Sequence, residues 1–173
     1  VRAHYAQHCF LAHMNFYLGD ALAGIHEGGN VVEDVHFFGG AHAIWTSKPS
    51  PGWQFTLIDC SFENQRAAAI LEHEAGLTLI RPQFKNVPTA VEIETNWTDE
   101  LWVKDAQFEN ISGAAFIFGM EKSPRTEINF EGVTCSHVPT FAALRDSGKK
   151  FSAPAEIYFV KNFSHGLEFS DIG

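Results

Sequence analysis

Several features that would assign a function quickly are missing from this sequence. No apolar run approaches the ~20 residues of a membrane span, and the 12 Lys and Arg residues, against 21 Asp and Glu, are dispersed. A net charge of −9 with scattered cations does not suit a phosphate backbone, which proteins neutralise with grouped basic side chains. We therefore expect neither a nucleic acid nor a membrane as partner, and favour a neutral or weakly charged ligand.

The sequence also has few cysteines and lacks the common metal-binding spacings. The three cysteines, Cys9, Cys60 and Cys135, are an odd number without a CxxC spacing, which argues against a disulfide framework. We interpret them as buried thiols. The nine histidines form no HxH or HExxH spacing, so we expect no metal site and no cofactor. Calcium held by loop carboxylates is the weaker alternative.

One short phrase recurs along the chain. QFENISGAAF at 107–116 resembles QFKNVPTAV at 83–91, SFENQRAAAI at 61–70 and, more loosely, HFFGGAHAI at 36–44. Three residues before the marker position stand Asp34, Asp59, Arg81, Asp105 and Gly132, and two residues after it stand Asn64, Asn86, Asn110 and His137. The markers are Phe16, Phe37, Phe62, Phe84 and Phe108, spaced by 21, 25, 22 and 24 residues, with Cys135 in the next slot.

The repeat predicts an all-β fold, a right-handed single-stranded parallel β-helix of about seven coils. Inside each repeat apolar residues alternate with period two, and Gly or Pro punctuates every repeat. Stacked coils place equivalent residues in columns, and turns can lengthen without disturbing strand pairing. A leucine-rich-type solenoid lacks its LxxLxLxxN pattern here, and a β-sandwich would not align Phe and Asn columns. Residues 1–8 resemble an earlier strand and residues 155–169 a last coil.

We interpret residues 1–173 as a single β-helix domain. Val1 begins in mid-pattern, with no signal region before it, so we expect the domain to be excised from a larger polypeptide.

The Asn column and the Phe stack resemble the pectate-lyase-like superfamily, including proteins related to family 28 glycoside hydrolases. The likeness runs over Gly24 to Asn110 most clearly. The NTD, DD, GHG and RIK motifs of family 28 enzymes are not intact here, and His165-Gly166 only echoes GHG. The chain is also similar to the β-helical carbohydrate-binding modules (module family 89) that are attached to xylanases of gut bacteria. That resemblance implies a secreted, cell-surface or periplasmic bacterial protein with a covalently linked catalytic domain.

Tryptophan is costly to expose, so its positions suggest a binding surface. If Leu101 and Val103 point inward, Trp102 points outward, between Thr78 and Asn129 on adjacent rungs. Trp53 and Trp97 fall in corresponding loops two coils apart, roughly 10 Å at the rung spacing of a parallel sheet. Trp45 follows an apolar Ile44 and should also point outward. Stacking on sugars is the functional interpretation, and capping of the core is the alternative.

Four glutamates lie on strands that come after a turn. Glu72 and Glu74 share one face of a strand, as do Glu92 and Glu94, and same-face neighbours lie ~6.5–7 Å apart. That spacing fits the carboxyl pair of an inverting glycosidase. A solvated acidic ridge, or a surface that binds sugar hydroxyls, is the favoured interpretation.

These patterns favour a non-catalytic module that binds a plant cell-wall polysaccharide, xylan first, through Trp45, Trp53, Trp97, Trp102 and the four glutamates. We assign no catalytic residue. The alternatives are a β-helical polysaccharide lyase or glycoside hydrolase acting on a pectin-like polysaccharide, and a purely structural β-helix. Missing catalytic motifs argue against the enzyme, and outward tryptophans against the structural role.

Overall fold

Two columns of residues with left-handed backbone form corners of the molecule. L-residues adopt positive φ at a cost, which is lowest for Gly, Asn and Asp. The phrase Asp-x-x-Phe-x-Asn therefore encodes a short strand between two such corners. The first column is His13, Asp34, Asp59, Arg81, Asp105 and Gly132, with φ from 50° to 70°. The second is Asn64, Asn86, Asn110 and His137, with φ from 54° to 62°.

The chain winds between these corners as a parallel β-helix of about five turns. The structure is a computed structural model that describes residues 1, 10–27, 30–47, 54–73, 76–98 and 100–166. Within these ranges there are strands and turns but no α-helix, and hence no helix that could cross a membrane.

The strands form two sheets. The first has seven strands: β2 (Ala23–His26), β4 (His42–Ser47), β7 (Ala68–His73), β10 (Thr89–Ile93), β13 (Ala114–Ile117), β15 (Thr140–Ala143) and β16 (Lys150–Phe151). The second has ten: β1 (Phe10–Gly19), β3 (Asn30–Gly39), β5 (Phe55–Ile58), β6 (Ser61–Glu63), β8 (Leu77–Ile80), β9 (Gln83–Val87), β11 (Glu100–Lys104), β12 (Gln107–Ile111), β14 (Glu127–Ser136) and β17 (Ile157–His165).

The ten-stranded sheet bends at the first corner column, so the helix has three faces. The β11 face holds β5, β8 and β11, and the β6 face holds β6, β9 and β12. The long strands β1, β3 and β14 run across the corner and belong to both. The seven-stranded sheet is the third, the β10 face.

The marker phenylalanines form one internal column, as the sequence predicts. Phe62, Phe84 and Phe108 are direct parallel partners and are 0–2% exposed. The rings of Phe62 and Phe84 stack at 4.5 Å and 11°, and Phe84 meets Phe108 edge-on at 5.4 Å. Phe16 and Phe37 continue the stack toward the N-terminal end. Each coil therefore packs its aromatic ring on the next, and the core is continuous along the axis.

The second corner column carries the predicted amide ladder. Asn86 donates from Nδ2 to Oδ1 of Asn64 at 3.2 Å, and Asn110 donates to Asn86 at 3.0 Å. In the first column, Arg81 interrupts the aspartates but donates two bonds to Asp59 at 2.6 and 2.7 Å. Each corner thus connects successive coils through side chains as well as backbone.

Asn86 offers a test of these corners. We expect Asn86→Ala to lower the free energy of unfolding by about 1–2 kcal/mol, because Ala pays the left-handed backbone cost and lacks the amide. Asn86→Gly keeps the backbone relaxed and removes only the ladder, so it should lose less. Urea unfolding of both variants measures the difference. Wild-type stability in Asn86→Ala would show that neither corner conformation nor ladder matters there.

The prediction of about seven coils is wrong, and the last segment explains part of the difference. β17 runs antiparallel to β14, pairing Ile157 with Ser136 and His165 with Ile128, and is not a further coil. Its Asn162 comes three residues after Phe159, so the Phe-x-Asn spacing of a corner is absent. β17 instead covers the edge of β14 that would otherwise expose unpaired backbone groups. The segment 1–8 lies outside the described residues, apart from Val1.

The thiols of Cys60 and Cys135 are buried and free, as expected. Burial raises the pKa of each to about 11, so both are poor nucleophiles at neutral pH. Cys9 lies outside the described residues.

Candidate functional site

Six of the eight predicted binding residues can be placed. Trp53 and Glu74 lie outside the described residues. The other six fall in three different environments: the outer side of the β11 face (Trp102), the outer side and end of the β10 face (Trp45, Glu92, Glu94 and Trp97), and the interior (Glu72).

Trp102 points outward, as the alternation predicts. Its neighbours Leu101 and Val103 are 1% and 0% exposed, whereas Trp102 is 41% exposed. Thr78 and Asn129 are its direct partners on the adjacent strands, and Thr56 follows Thr78 on the next rung. The β11 face therefore presents the ring of Trp102 beside hydroxyl and amide side chains on the adjacent rungs.

A hydrogen bond orients the hydroxyl of Thr78, which lies beside Trp102. Gln54 donates from Nε2 to Oγ1 of Thr78 at 3.3 Å. Parallel strands hold these rungs ~4.8 Å apart on a rigid sheet, so the row needs little ordering to meet an extended ligand. A flat ring flanked by polar groups can stack on the apolar face of a sugar while its neighbours bind hydroxyls.

Glu72 does not belong to an exposed acidic ridge, and that interpretation is wrong at this residue. The side chain is 0% exposed, and its strand partners Thr46 and Ile93 are buried as well. The apolar pair Ile70-Leu71 leaves the phase of the strand ambiguous in the sequence. The structure buries Ile70 and turns Leu71 outward, which carries Glu72 inward.

Glu92 lies on the outer side of the β10 face, in the same column as Trp45, with Leu71 between them. Its Oε1 accepts a bond from Arg145 at 2.9 Å, and Arg145 also donates to the carbonyls of Ile93 and Phe118 at 3.1 and 3.3 Å. Arg145 is 53 residues away in sequence, and no local pattern indicated it.

Trp45 is half-buried and points outward, as predicted. The ring of His26 meets it edge-on at 5.3 Å. Its exposed face is therefore smaller than that of Trp102, which makes it the weaker stacking candidate.

Trp97 lies at the end of the β10 face, and its stacking on sugars stays a prediction. It packs partly against the core, and its ring lies 3.7 Å from that of His73 at 35°. His73 in turn is bonded through Nδ1 to Oε2 of Glu94 at 2.7 Å. A pocket of about 320 Å³ opens beside Trp97, Met120 and Pro124. No local pattern in the sequence indicated the contact between His73 and Trp97, which comes from the fold.

The carboxylates of Glu92 and Glu94 are therefore both engaged, by Arg145 and His73. An acid–base pair for glycosidic cleavage needs one carboxyl group that holds a proton against the leaving oxygen. In this structure each carboxylate instead faces a basic side chain.

No group of three or more His, Cys, Asp or Glu side chains that could hold a metal ion occurs within the described ranges. The weaker expectation of a calcium ion stays a prediction, since several loops lie outside those ranges.

No family model, curated protein or solved structure matches this chain.

Proposed function

We propose that this β-helix binds a plant cell-wall polysaccharide, xylan first, without cutting its backbone. The observation that carries the proposal is the exposed ring of Trp102 on the flat β11 face, between Thr78 and Asn129. An exposed tryptophan in a polar row adds little to the stability of the fold, but its ring is available to stack on a ligand. The glycan would run along the helix axis, across successive rungs.

The charge of the chain supports a neutral glycan. With a net charge of −9, a polyanion such as pectin would meet long-range repulsion. The resemblance to the pectate-lyase-like superfamily and to carbohydrate-binding module family 89 supports the same class of ligand. On this proposal the domain is secreted by a bacterium and linked to a catalytic domain that cleaves the polysaccharide it binds.

Substitution of Trp102 tests the proposal. We expect Trp102→Ala to weaken xylan binding about tenfold, the equivalent of ~1.4 kcal/mol, at the lower end of aromatic stacking on bases. Trp102→Phe should retain part of the affinity. Affinity electrophoresis over xylan, glucan, mannan and pectin measures both, and the wild-type affinity should change little between low and high salt.

Two matched variants locate the surface. Trp45→Ala removes an outward tryptophan from the β10 face and should leave binding unchanged. Trp97→Ala should lower the melting temperature, because Trp97 packs on the core. Normal xylan binding by Trp102→Ala, or loss of binding in Trp45→Ala alone, would contradict the proposed β11 platform.

The second candidate is a β-helical lyase or hydrolase, and one observation favours it. Glu92 and Glu94 are same-face neighbours, ~6.5–7 Å apart along the chain, within the carboxyl separation of inverting enzymes. Product analysis of the same incubations decides between the two. Reducing sugar or unsaturated product that disappears in Glu92→Gln would support the enzyme.

A further inference from the structure

A chain of hydrogen bonds crosses the outer side of the β6 face, away from Trp102. Ser61 opens β6 and points outward, since its neighbour Phe62 is fully buried. His36 is the direct strand partner of Ser61, and its Nδ1 lies 2.7 Å from the Ser61 Oγ. The Nε2 of His36 lies 3.1 Å from Oδ1 of Asp34, at the corner two residues earlier. A serine, a histidine and an aspartate are thus connected in order.

The second oxygen of Asp34 has its own partner. Nδ1 of His13 lies 2.7 Å from Oδ2 of Asp34. The hydrogen bond from His13 lowers the pKa of Asp34, so this side chain is a carboxylate at neutral pH and only accepts. When His36 carries a single ring proton, that proton must then reside on Nε2, facing Asp34. This leaves the lone pair of Nδ1 directed at the hydroxyl of Ser61, which is the protonation state that activates a serine.

Two neighbours of this chain suit an ester substrate. Gln83 is the strand partner of Ser61 on the next rung and is exposed, so its amide can donate to an oxygen that develops charge beside Ser61. Tyr17 and Phe38 stack at 5.1 Å and 13°, and Tyr17 is 79% exposed. Phe38 is two residues beyond His36 on the same side of β3, ~7 Å away. A flat ring can therefore lie beside the serine.

We propose that Ser61, His36 and Asp34 form a hydrolytic site for carboxylic esters that carry a ring with an apolar face, either a sugar or an aryl group. This inference goes beyond the proposed binding function and does not depend on it. His36 is the general base, and Asp34 is a positioning residue that acts through His36.

The reaction takes place in two balanced steps. Oγ of Ser61 bonds to the ester carbonyl carbon while its proton passes to Nδ1 of His36. The carbon–oxygen bond to the alcohol then breaks, and that proton leaves with the alcohol, giving acyl-Ser61. Water next attacks the acyl carbon and gives a proton to His36, and Ser61 leaves and takes that proton back. One ester and one water become one acid and one alcohol.

The chain contains a matched comparison set. Ser136 Oγ lies 3.0 Å from Nδ1 of His137, whose Nε2 lies 3.0 Å from Glu156. Here the imidazole and the carboxylate are 53% and 75% exposed, and the serine and histidine are adjacent in sequence. Water competes with these bonds more than with those of His36 and Asp34, which are 36% and 47% exposed, and Asp34 is also bonded through both oxygens. Ser136 therefore serves as the control serine.

The test uses the wild-type protein with p-nitrophenyl acetate, acetylated xylan and a fluorophosphonate probe. We expect hydrolysis above the buffer blank and a phosphonate adduct on Ser61, located by mass spectrometry of peptides. Ser61→Ala should lose the adduct and at least about 100-fold of the rate, while Ser136→Ala retains both. Hydrolysis catalysed by the His36 imidazole alone persists in Ser61→Ala, so the rate of that variant is the background rate.

Asp34→Asn tests the positioning role, because Asn keeps the left-handed corner and the shape of the side chain. It should reduce the rate with little change in melting temperature. A wild-type rate equal to buffer, an adduct confined to Ser136, or full activity in Ser61→Ala would overturn the inference. Xylan binding without ester hydrolysis would refute this site and leave the proposed function standing.

Discussion

Phe84→Ala should lower the free energy of unfolding by about 3–5 kcal/mol. Phe84 is 1% exposed and packs between Phe62 and Phe108 in the internal column. Removing its ring leaves a cavity that the flanking coils cannot fill, because the strand ladders hold them at a fixed spacing. Since each coil contacts only its neighbours, the cavity also weakens the coupling between the two halves of the helix.

Phe38→Ala is the matched control for Phe84. It makes the same chemical change on the outer side of the β6 face, where Phe38 is only half-buried and stacks on Tyr17. The expected loss is about 0.5–1.5 kcal/mol. Urea unfolding of both variants, followed by circular dichroism, gives the comparison. Equal losses would show that the Phe column is not the main support of the stack.

Gly119→Ala should destabilise the turn that carries Trp97. A Cβ at Gly119 would lie 2.7 Å from the Glu94 carbonyl oxygen and closer still to that of Trp97. Both of these obstacles are backbone atoms, and the third, Cγ2 of the buried Ile93, also lies 2.7 Å away, so the turn must move. The bond from the Met120 amide to the Trp97 carbonyl, 2.9 Å long, would be strained or lost. We expect a loss of about 1–3 kcal/mol.

A local readout accompanies the stability measurement. The indole N–H resonance of Trp97 should shift in Gly119→Ala, because its ring then leaves His73. Met120→Ala is the control: it removes an exposed neighbouring side chain without adding an atom near the turn. Gly119→Ala with wild-type stability and an unmoved Trp97 resonance would contradict the close packing of this turn.

The repeating unit followed from the order of amino acids alone. Left-handed corners favour Asn, Asp or Gly, and the inward position between them favours an apolar ring, so Asp59, Phe62 and Asn64 mark their own places. The outward direction of Trp102 also followed from alternation, because Leu101 and Val103 leave only one phase for β11. These features are local: each depends on a few adjacent residues and on the pleat of a strand.

Packing between coils set the strand phases and the long-range partners that local patterns left ambiguous. Either Ile70 or Leu71 could have pointed inward, and packing against Ile44 and Val91 settled it, which buried Glu72. The period-two pattern of 157–165 is compatible with parallel and with antiparallel pairing. In the structure this segment pairs antiparallel with the free edge of β14. The repeat alignment already places His36 and Ser61 in one column, directly before Phe37 and Phe62, but Arg145 reached Glu92 only through the stacking of coils. Such contacts depend on how many residues each turn contains, and turn length is free to vary without changing strand pairing, so no local pattern in the sequence encodes them.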